Sequence, residues 1–220
     1  MDLLPCVEIE TTPSVTASII WLHGLGANGH DFEPIVPELR LPKPAGIRFI
    51  FPHAPSMPVT INGGMIMPAW YDILDTSIDR KIDQAQIIIS ANRIKALVDR
   101  EIERGVDSRR IVLAGFSQGG AVAYHVALTS ALPLAGLLAL STYLATHETV
   151  IPASDNLGMP VLVCHGLYDT VVPEFLGKHA ITALTAMGYT PEYRTYPMQH
   201  SVCAEEVGNI SAWIHKILGL

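Results

Sequence analysis

The sequence predicts a single α/β domain with a mostly parallel sheet and helices on both of its faces. Short, continuously apolar runs of strand length alternate with helix-length segments, and uninterrupted apolar strands are typical of a parallel sheet covered on both faces. The chain has 220 residues, of which 49% are hydrophobic, so it can bury a substantial core. We find no repeat, linker or low-complexity tract, and we expect one domain over residues 1–220.

Six runs have the length and composition of strands. The sixth of them is less apolar than the others. In chain order they are Ser18–Leu22, Arg48–Phe51, Ile111–Ala114, Ala135–Leu140, Val161–Cys164 and Glu192–Tyr196.

Three helices are predicted besides the one that follows the third strand. Over Ile82–Arg104, apolar residues recur at three- and four-residue steps, which predicts an amphipathic helix that stops at Gly105. A second helix is expected over Glu174–Met187, ended by Gly188, and a third over Ala204–Leu218. These helices alternate with the strands as an α/β fold requires.

Two long segments are rich in Pro, Gly, Ser and Asn. Residues 52–79 and 141–160 are therefore predicted to be surface loops. The first is long enough that a functional role is expected.

Composition argues against several classes of function. The formal net charge is −7 and no basic run appears, so nucleic acid is not an expected partner. The N-terminus lacks the basic region of a signal peptide, and the longest apolar segment, Ala131–Leu140, is interrupted by Pro133 and too short to span a bilayer. We expect a cytoplasmic protein. Its three cysteines, Cys6, Cys164 and Cys203, are expected to be reduced thiols that bind no metal.

The most informative motif is Gly115-Phe116-Ser117-Gln118-Gly119-Gly120. It stands between the predicted strand Ile111–Ala114 and a helix predicted over Ala121–Leu128, where Gly-x-Ser-x-Gly is typical of a nucleophile elbow, a tight turn that exposes the serine hydroxyl. The alternative is a serine in an ordinary glycine-rich turn. A nucleophilic Ser117 requires a histidine as base and a carboxylate that orients it.

A second glycine-rich turn, His23-Gly24-Leu25-Gly26, follows the first predicted strand. Ligands of such sheets bind at the carboxyl ends of the strands. The backbone N–H of Leu25 could therefore pair with that of Gln118 to form an oxyanion hole. The alternative is a plain strand-to-helix turn.

Candidates for the carboxylate and the base also follow strand ends. Asp169 lies in the loop after Val161–Cys164, and His200 lies after Glu192–Tyr196. Asp169 could instead only stabilise its loop. The order Ser, Asp, His nevertheless accompanies the elbow in α/β-hydrolases. The two His-Gly turns, at His23 and His165, are expected to shape loops.

The segment 60–71 is expected either to wall a substrate pocket or to move as a lid. Its apolar side chains, amid glycines and a proline, suit variable apolar ligands, although packing within a long loop would explain them too. The candidate pocket residues are Ile61, Met65, Ile66, Met67, Trp70 and Tyr71, together with Leu167.

Motifs along nearly the whole chain resemble the phospholipase/carboxylesterase family, which includes bacterial carboxylesterases and acyl-protein thioesterases. Besides the turns and loops already described, the resemblance is carried by Phe51-Pro52-His53-Ala54-Pro55, Pro58-Val59-Thr60-Ile61-Asn62-Gly63-Gly64, Ala69-Trp70-Tyr71-Asp72, Asp169-Thr170-Val171-Val172-Pro173 and Pro197-Met198-Gln199-His200. Gln199 departs from the small residue expected before the histidine.

The resemblance implies an α/β-hydrolase fold without a large cap domain and a catalytic triad of Ser117, Asp169 and His200. It also implies oxyanion donors at Leu25 and Gln118, no metal or other cofactor, and hydrolysis of carboxylic esters or thioesters. We expect the acyl chains to be of small to medium length. A lysophospholipase or protein-deacylating enzyme would use the same triad, and a non-catalytic binding protein on this scaffold would most simply lack one of its members. The expected partner is a small ester or thioester, with at most transient contact with a membrane surface, and the protein is expected to be a monomer or homodimer.

Overall fold

The computed structural model describes residues 3–42, 44–75 and 81–220. Nine strands lie within this part of the chain: β1 Cys6–Glu10, β2 Ala17–Leu22, β3 Ile47–Pro52, β4 Ser56–Val59, β5 Met65–Pro68, β6 Ile111–Phe116, β7 Gly136–Leu140, β8 Val161–Gly166 and β9 Glu192–Tyr196. The α-helices of the same part are α1 Ile35–Glu38, α2 Gln84–Glu103, α3 Gln118–Thr129, α4 Glu174–Ala186 and α5 Ala204–Leu218.

Seven strands form the central sheet in the order β1-β3-β2-β6-β7-β8-β9. Only the edge strand β1 is antiparallel to its neighbour, and the other pairs in this sheet are parallel. The carboxyl ends of β6, β8 and β9 therefore meet at one edge of the sheet. The predicted mostly parallel sheet is confirmed.

The core has one layer on each face of the sheet. Successive residues of β2 alternate between the layers: Ile20 belongs to the layer that contains α2, α3 and α4, and Ile19 belongs to the layer that contains α1 and α5. This is the period-two alternation of a strand buried on both sides. Helices therefore cover both faces, as predicted.

The edge strand β1 is absent from the sequence-based prediction. It carries Glu8 and Glu10 among apolar residues and is only partly buried. An edge strand pairs on one side and tolerates charge, so it lacks the continuous apolar character by which the inner strands were recognised.

The predicted α2 is confirmed within two residues of its ends. Asp83 caps its start by accepting a hydrogen bond from the Gln86 N–H over 3.1 Å. Gly105, just past its end, has a φ of 93°, a conformation that favours glycine. The local chemistry read from the sequence thus sets both ends of this helix.

The prediction that residues 52–79 form a surface loop is wrong for two parts of the described segment. Strands β4 and β5 pair as an antiparallel hairpin, and the following residues Ala69, Trp70 and Tyr71 are buried. Residues 76–79 of this segment lie outside the described residues. The prolines and glycines marked turns, but the aromatic side chains between them pack into the core.

Residues 141–160 form a loop as predicted, with one short 3₁₀ turn, but the prediction that this loop lies at the surface is wrong for its first residues. Ser141, Thr142, Tyr143 and Leu144 are buried directly after β7, and Ser154–Asn156 form a short 3₁₀ turn. The segment begins as part of the core at the carboxyl edge of the sheet. None of the helices in the described part of the chain is long and apolar enough to cross a membrane.

Candidate active site

Ser117 occupies a strained turn between β6 and α3. Its φ is 53° and its ψ is −121°, a backbone conformation that costs free energy and is concentrated at functional sites. A Cβ at position 115 would lie 2.5 Å from the carbonyl oxygen of Gly119, and one at position 119 would lie 2.4 Å from that of His23. Both contacts are impossible, so these two glycines are required for the tight turn.

The structure brings Ser117, His200 and Asp169 into one hydrogen-bonded chain. His200 Nε2 lies 3.0 Å from Ser117 Oγ, and His200 Nδ1 lies 2.7 Å from Asp169 Oδ2. Each residue follows the carboxyl end of a different strand, β6, β8 or β9. This geometry allows a serine hydroxyl to pass its proton to an imidazole that a carboxylate orients.

The loop after β8 holds the Asp169 carboxylate in place. Its Oδ1 accepts hydrogen bonds from the N–H groups of Val171 and Val172 over 2.9 and 2.8 Å. Burial by itself would raise the pKa of Asp169, but the hydrogen bonds from His200 and from these two N–H groups outweigh it and lower the pKa below its ordinary value. Asp169 is therefore ionised at neutral pH and faces Nδ1 of His200 as an acceptor.

His165, which was predicted to shape a loop, contacts the backbone of the loop that carries Asp169. Its side chain is buried, and Nε2 lies 2.7 Å from the carbonyl oxygen of Val172. Burial lowers the pKa of His165, which keeps the ring neutral. The ring contacts the loop that carries Asp169 and lies 3.7 Å from its Oδ2.

Two backbone N–H groups stand unpaired near the serine. Within the described residues, neither the Leu25 N–H nor the Gln118 N–H donates a hydrogen bond to a protein acceptor. The side chain of Gln118 is engaged elsewhere: its Oε1 accepts from the Trp70 N–H over 2.8 Å and its Nε2 donates to the Tyr71 carbonyl over 2.7 Å. The two backbone groups are thus available to a ligand.

Comparison with known proteins identifies the family of the chain. The family model for phospholipase/carboxylesterase matches residues 5–218. The chain is 40% identical to acyl-protein thioesterase 1 of Neurospora crassa over 97% of this chain and 92% of that relative, and 38% identical to acyl-protein thioesterase 1 of Gibberella zeae over 92% and 91%. The crystal structure of Zea mays acyl-protein thioesterase 2 is 29% identical, with a TM-score of 0.86 and coverage of 98% of this chain and 99% of that chain.

The chain belongs to the phospholipase/carboxylesterase family. Its fold is the α/β-hydrolase fold expected from the motifs, and it is a hydrolase of the esterase or thioesterase type. Thioesterase, the activity named for these relatives, is a closer description than carboxylesterase.

In this family member the predicted pocket residues divide into two groups. On the β4–β5 hairpin and the loop after β8, Ile61, Met65, Ile66 and Leu167 are exposed, whereas Met67 is partly buried. The hairpin also contacts the turn after β2, because the Gly26 N–H donates to the Pro68 carbonyl over 2.9 Å. It therefore lies beside Leu25.

Trp70 and Tyr71 instead belong to the core. They are 1% and 0% exposed, so the expectation that they wall an open pocket has to be corrected. Their large rings fill the space between the sheet and the helices packed on it, and the Trp70 indole donates to the His23 carbonyl over 2.9 Å.

A cavity of about 620 Å³ lies elsewhere along the same edge of the sheet. Its apolar lining is Leu74, Ile82, Tyr143, Leu144, Ala145, Leu176 and Ala180, and its polar lining is Lys81, Gln84, His147, Glu148 and His179. The sequence did not reveal this cavity, because its lining comes from three distant segments and two of them include residues predicted to lie in surface loops. The available signal was the pair Tyr143-Leu144 directly after a strand.

The cavity lining contains none of Ser117, Asp169 and His200, but two of its segments follow residues of the site. Tyr143 follows Thr142, whose hydroxyl donates to the Ser117 carbonyl oxygen over 2.6 Å. The helix α4, which supplies Leu176 and Ala180, begins just after the loop that carries Asp169. Among the described residues, no group of three or more His, Cys, Asp and Glu side chains is arranged to hold a metal ion.

Proposed function

We propose that this protein hydrolyses acyl esters and thioesters through a triad of Ser117, His200 and Asp169 and a covalent acyl-enzyme. The observation that carries the proposal is the continuous contact from Ser117 Oγ to His200 Nε2 over 3.0 Å and from His200 Nδ1 to Asp169 Oδ2 over 2.7 Å. A merely structural serine would not require a strained turn, an imidazole and an ionised carboxylate in this order.

The reaction follows from these contacts. His200 Nε2 accepts the hydroxyl proton as Ser117 Oγ attacks the acyl carbon, and the Leu25 and Gln118 N–H groups stabilise the developing oxyanion. The imidazolium then gives its proton to the departing alcohol or thiol. Water activated by the same imidazole attacks the acyl-enzyme and releases the carboxylic acid and Ser117.

We further propose that the preferred substrates are thioesters of medium to long acyl chains. The relatives at 40% and 38% identity are named acyl-protein thioesterases. The cavity lined by Leu74, Tyr143 and Leu176 supplies apolar volume, and two of its lining segments continue from residues next to the proposed triad. Apolar pockets of this size suit a flexible hydrocarbon chain. A carboxylesterase of short acyl esters would not need this volume.

The experiment is a comparison of the wild type with Ser117→Ala. The wild type should hydrolyse nitrophenyl butyrate and palmitoyl thioesters and should be labelled by a fluorophosphonate at Ser117. Ser117→Ala should lose both turnover and labelling while its thermal unfolding stays cooperative. Undiminished turnover in the folded variant would refute the assignment.

A further inference from the structure

The carbonyl of the peptide unit that carries the Gln118 N–H accepts a side-chain hydrogen bond. That carbonyl is Ser117 O, which already accepts from the N–H groups of Gly120 and Ala121 in the first turn of α3. Thr142 Oγ1, fully buried after β7, donates to the same oxygen over 2.6 Å. The hydroxyl thus acts on the opposite end of the very peptide whose N–H points to the proposed oxyanion position.

The close approach of Thr142 depends on a glycine. A Cβ at Gly120 would lie 2.6 to 2.7 Å from the Cγ2, Cβ and Oγ1 atoms of Thr142. Real side chains do not approach so closely, so Gly120 is what lets this threonine reach the elbow. The last glycine of the motif therefore has a specific partner on the neighbouring strand end.

The peptide unit that carries the Leu25 N–H has the same arrangement. Its carbonyl is Gly24 O, and His23 Nδ1 lies 2.7 Å away. The Ala54 N–H donates to His23 Nε2 over 3.1 Å, so Nε2 is the acceptor and Nδ1 carries the proton. His23 is 1% exposed and burial lowers the pKa of its ring, which keeps the neutral tautomer in place.

We infer that His23 and Thr142 are positioning residues that orient and polarise the two oxyanion donors. Because the peptide group is planar, a hydrogen bond that fixes the carbonyl also fixes the direction of the N–H on its other end. Donation to the carbonyl further strengthens that N–H as a donor, since hydrogen bonds in a chain polarise one another. The inference rests on the proposed function, because it concerns the same Leu25 and Gln118 groups.

Thr142→Val and Thr142→Ser form the decisive pair of variants. Valine has almost the shape of threonine but no hydroxyl, whereas serine keeps the hydroxyl and loses a methyl group. We expect kcat for nitrophenyl butyrate to fall about 5- to 50-fold in Thr142→Val, less than the loss of a whole oxyanion donor, with KM changed by less than about twofold. Thr142→Ser should retain kcat near that of the wild type.

A second readout reports directly on the oxyanion. An alkyl trifluoromethyl ketone forms a hemiketal when Ser117 Oγ adds to its carbonyl carbon and the serine proton passes to His200. A ¹⁹F NMR titration of this adduct should show that its hemiketal oxygen ionises at higher pH in Thr142→Val than in the wild type or Thr142→Ser. A packing role for Thr142 would not move this ionisation.

Each outcome decides the matter. Equal kcat and equal hemiketal ionisation in all three proteins would overturn the inference, and so would equal losses in Thr142→Val and Thr142→Ser. If Thr142→Val does not fold, the test moves to His23. His23→Asn retains a donor at the Nδ1 position and should keep more activity than His23→Leu. Equal activities of these two variants would overturn the inference. A wild type without hydrolysis or fluorophosphonate labelling would instead refute the proposed function itself.

Discussion

Gln118 uses its side chain and its backbone for different purposes: its Oε1 accepts a hydrogen bond from the Trp70 N–H over 2.8 Å, while its own N–H, beside Ser117, donates to no acceptor within the described residues. The same amide donates to the Tyr71 carbonyl. These two hydrogen bonds connect the nucleophile elbow to the buried segment that follows the β4–β5 hairpin. Gln118 therefore also has a structural role.

Gln118→Ala should destabilise the protein while retaining a measurable rate. It removes the partners of two buried backbone groups, each of which costs about 1–3 kcal/mol when left unpaired. We expect the free energy of unfolding in urea to fall by about 2–4 kcal/mol. Gln199→Ala, the same change at an exposed position one residue before His200, should change stability by less than about 0.5 kcal/mol. Equal stability of the two variants would contradict this role for the amide.

Asp169→Asn should lose most of its activity without losing its fold. The asparagine oxygen can still accept from the Val171 and Val172 N–H groups, but its side chain carries no charge to stabilise the imidazolium of His200. We expect kcat to fall by about 10³- to 10⁴-fold, measured with nitrophenyl butyrate. The exposed Asp155→Asn serves as the matched control and should retain the wild-type rate. Wild-type activity in Asp169→Asn would remove this carboxylate from the mechanism.

Glu206 is a fully buried acid in the first turn of α5, shortly after the loop that carries His200 and Ser201. Within the described residues, neither of its carboxyl oxygens has a hydrogen bond of ordinary geometry. Burial raises the pKa of Glu206 to about 8, against smaller opposing effects of the Cys203 N–H and the Cys164 thiol. The native state therefore holds the protonated acid at mildly acidic and neutral pH.

Stability should accordingly fall as pH rises. An ordinary glutamate has a pKa of 4.5, so between about pH 4.5 and pH 8 the unfolded chain binds fewer protons than the native state, and the free energy of unfolding decreases by about 1.4 kcal/mol for each pH unit. Glu206→Gln should remove this slope and unfold at a higher temperature than the wild type at pH 8. The exposed neighbour Glu205→Gln should keep it. Parallel pH profiles for the wild type and Glu206→Gln would contradict the prediction.

The location of the acyl chain can be tested by filling one of two sites. Leu176→Trp places a large ring in the cavity of about 620 Å³, and Ile66→Trp places the same ring on the exposed hairpin. We expect kcat/KM for palmitoyl thioesters to fall at least about tenfold in Leu176→Trp, with acetyl esters little affected, because a blocked pocket excludes only long chains. Ile66→Trp should behave like the wild type. The reverse result would move the acyl site to the hairpin.

Much of the candidate site could be predicted because its signals are local. A glycine-flanked serine between a strand and a helix, an aspartate after β8 and a histidine after β9 each stand at a strand end that the apolar runs reveal. Parallel strands then bring their carboxyl ends to one edge. The cytoplasmic location, the reduced state of the thiols in the cell and the oligomeric state stay predictions.

The prediction of two surface loops is wrong in part, because some residues of both segments are buried. Their Pro, Gly, Ser and Asn residues correctly indicated turns, but turns do not decide burial. Trp70 and Tyr143 are buried because the helices and the end of the sheet offer them apolar partners, and their neighbours' backbone groups find hydrogen bonds there. Those partners lie up to tens of residues away in the chain.

The sequence by itself determined the alternation of strands and helices, the strained turn at Ser117 and the order in which serine, aspartate and histidine follow their strands. These depend on side-chain size, backbone freedom and apolar periodicity within a few residues. Only the tertiary structure decided that Gln118 holds Trp70, that Thr142 and His23 act on the carbonyls of Ser117 and Gly24, and where a cavity remains. Such contacts require that segments far apart in the chain be placed to within a few tenths of an ångström of one another, and no local pattern encodes that placement.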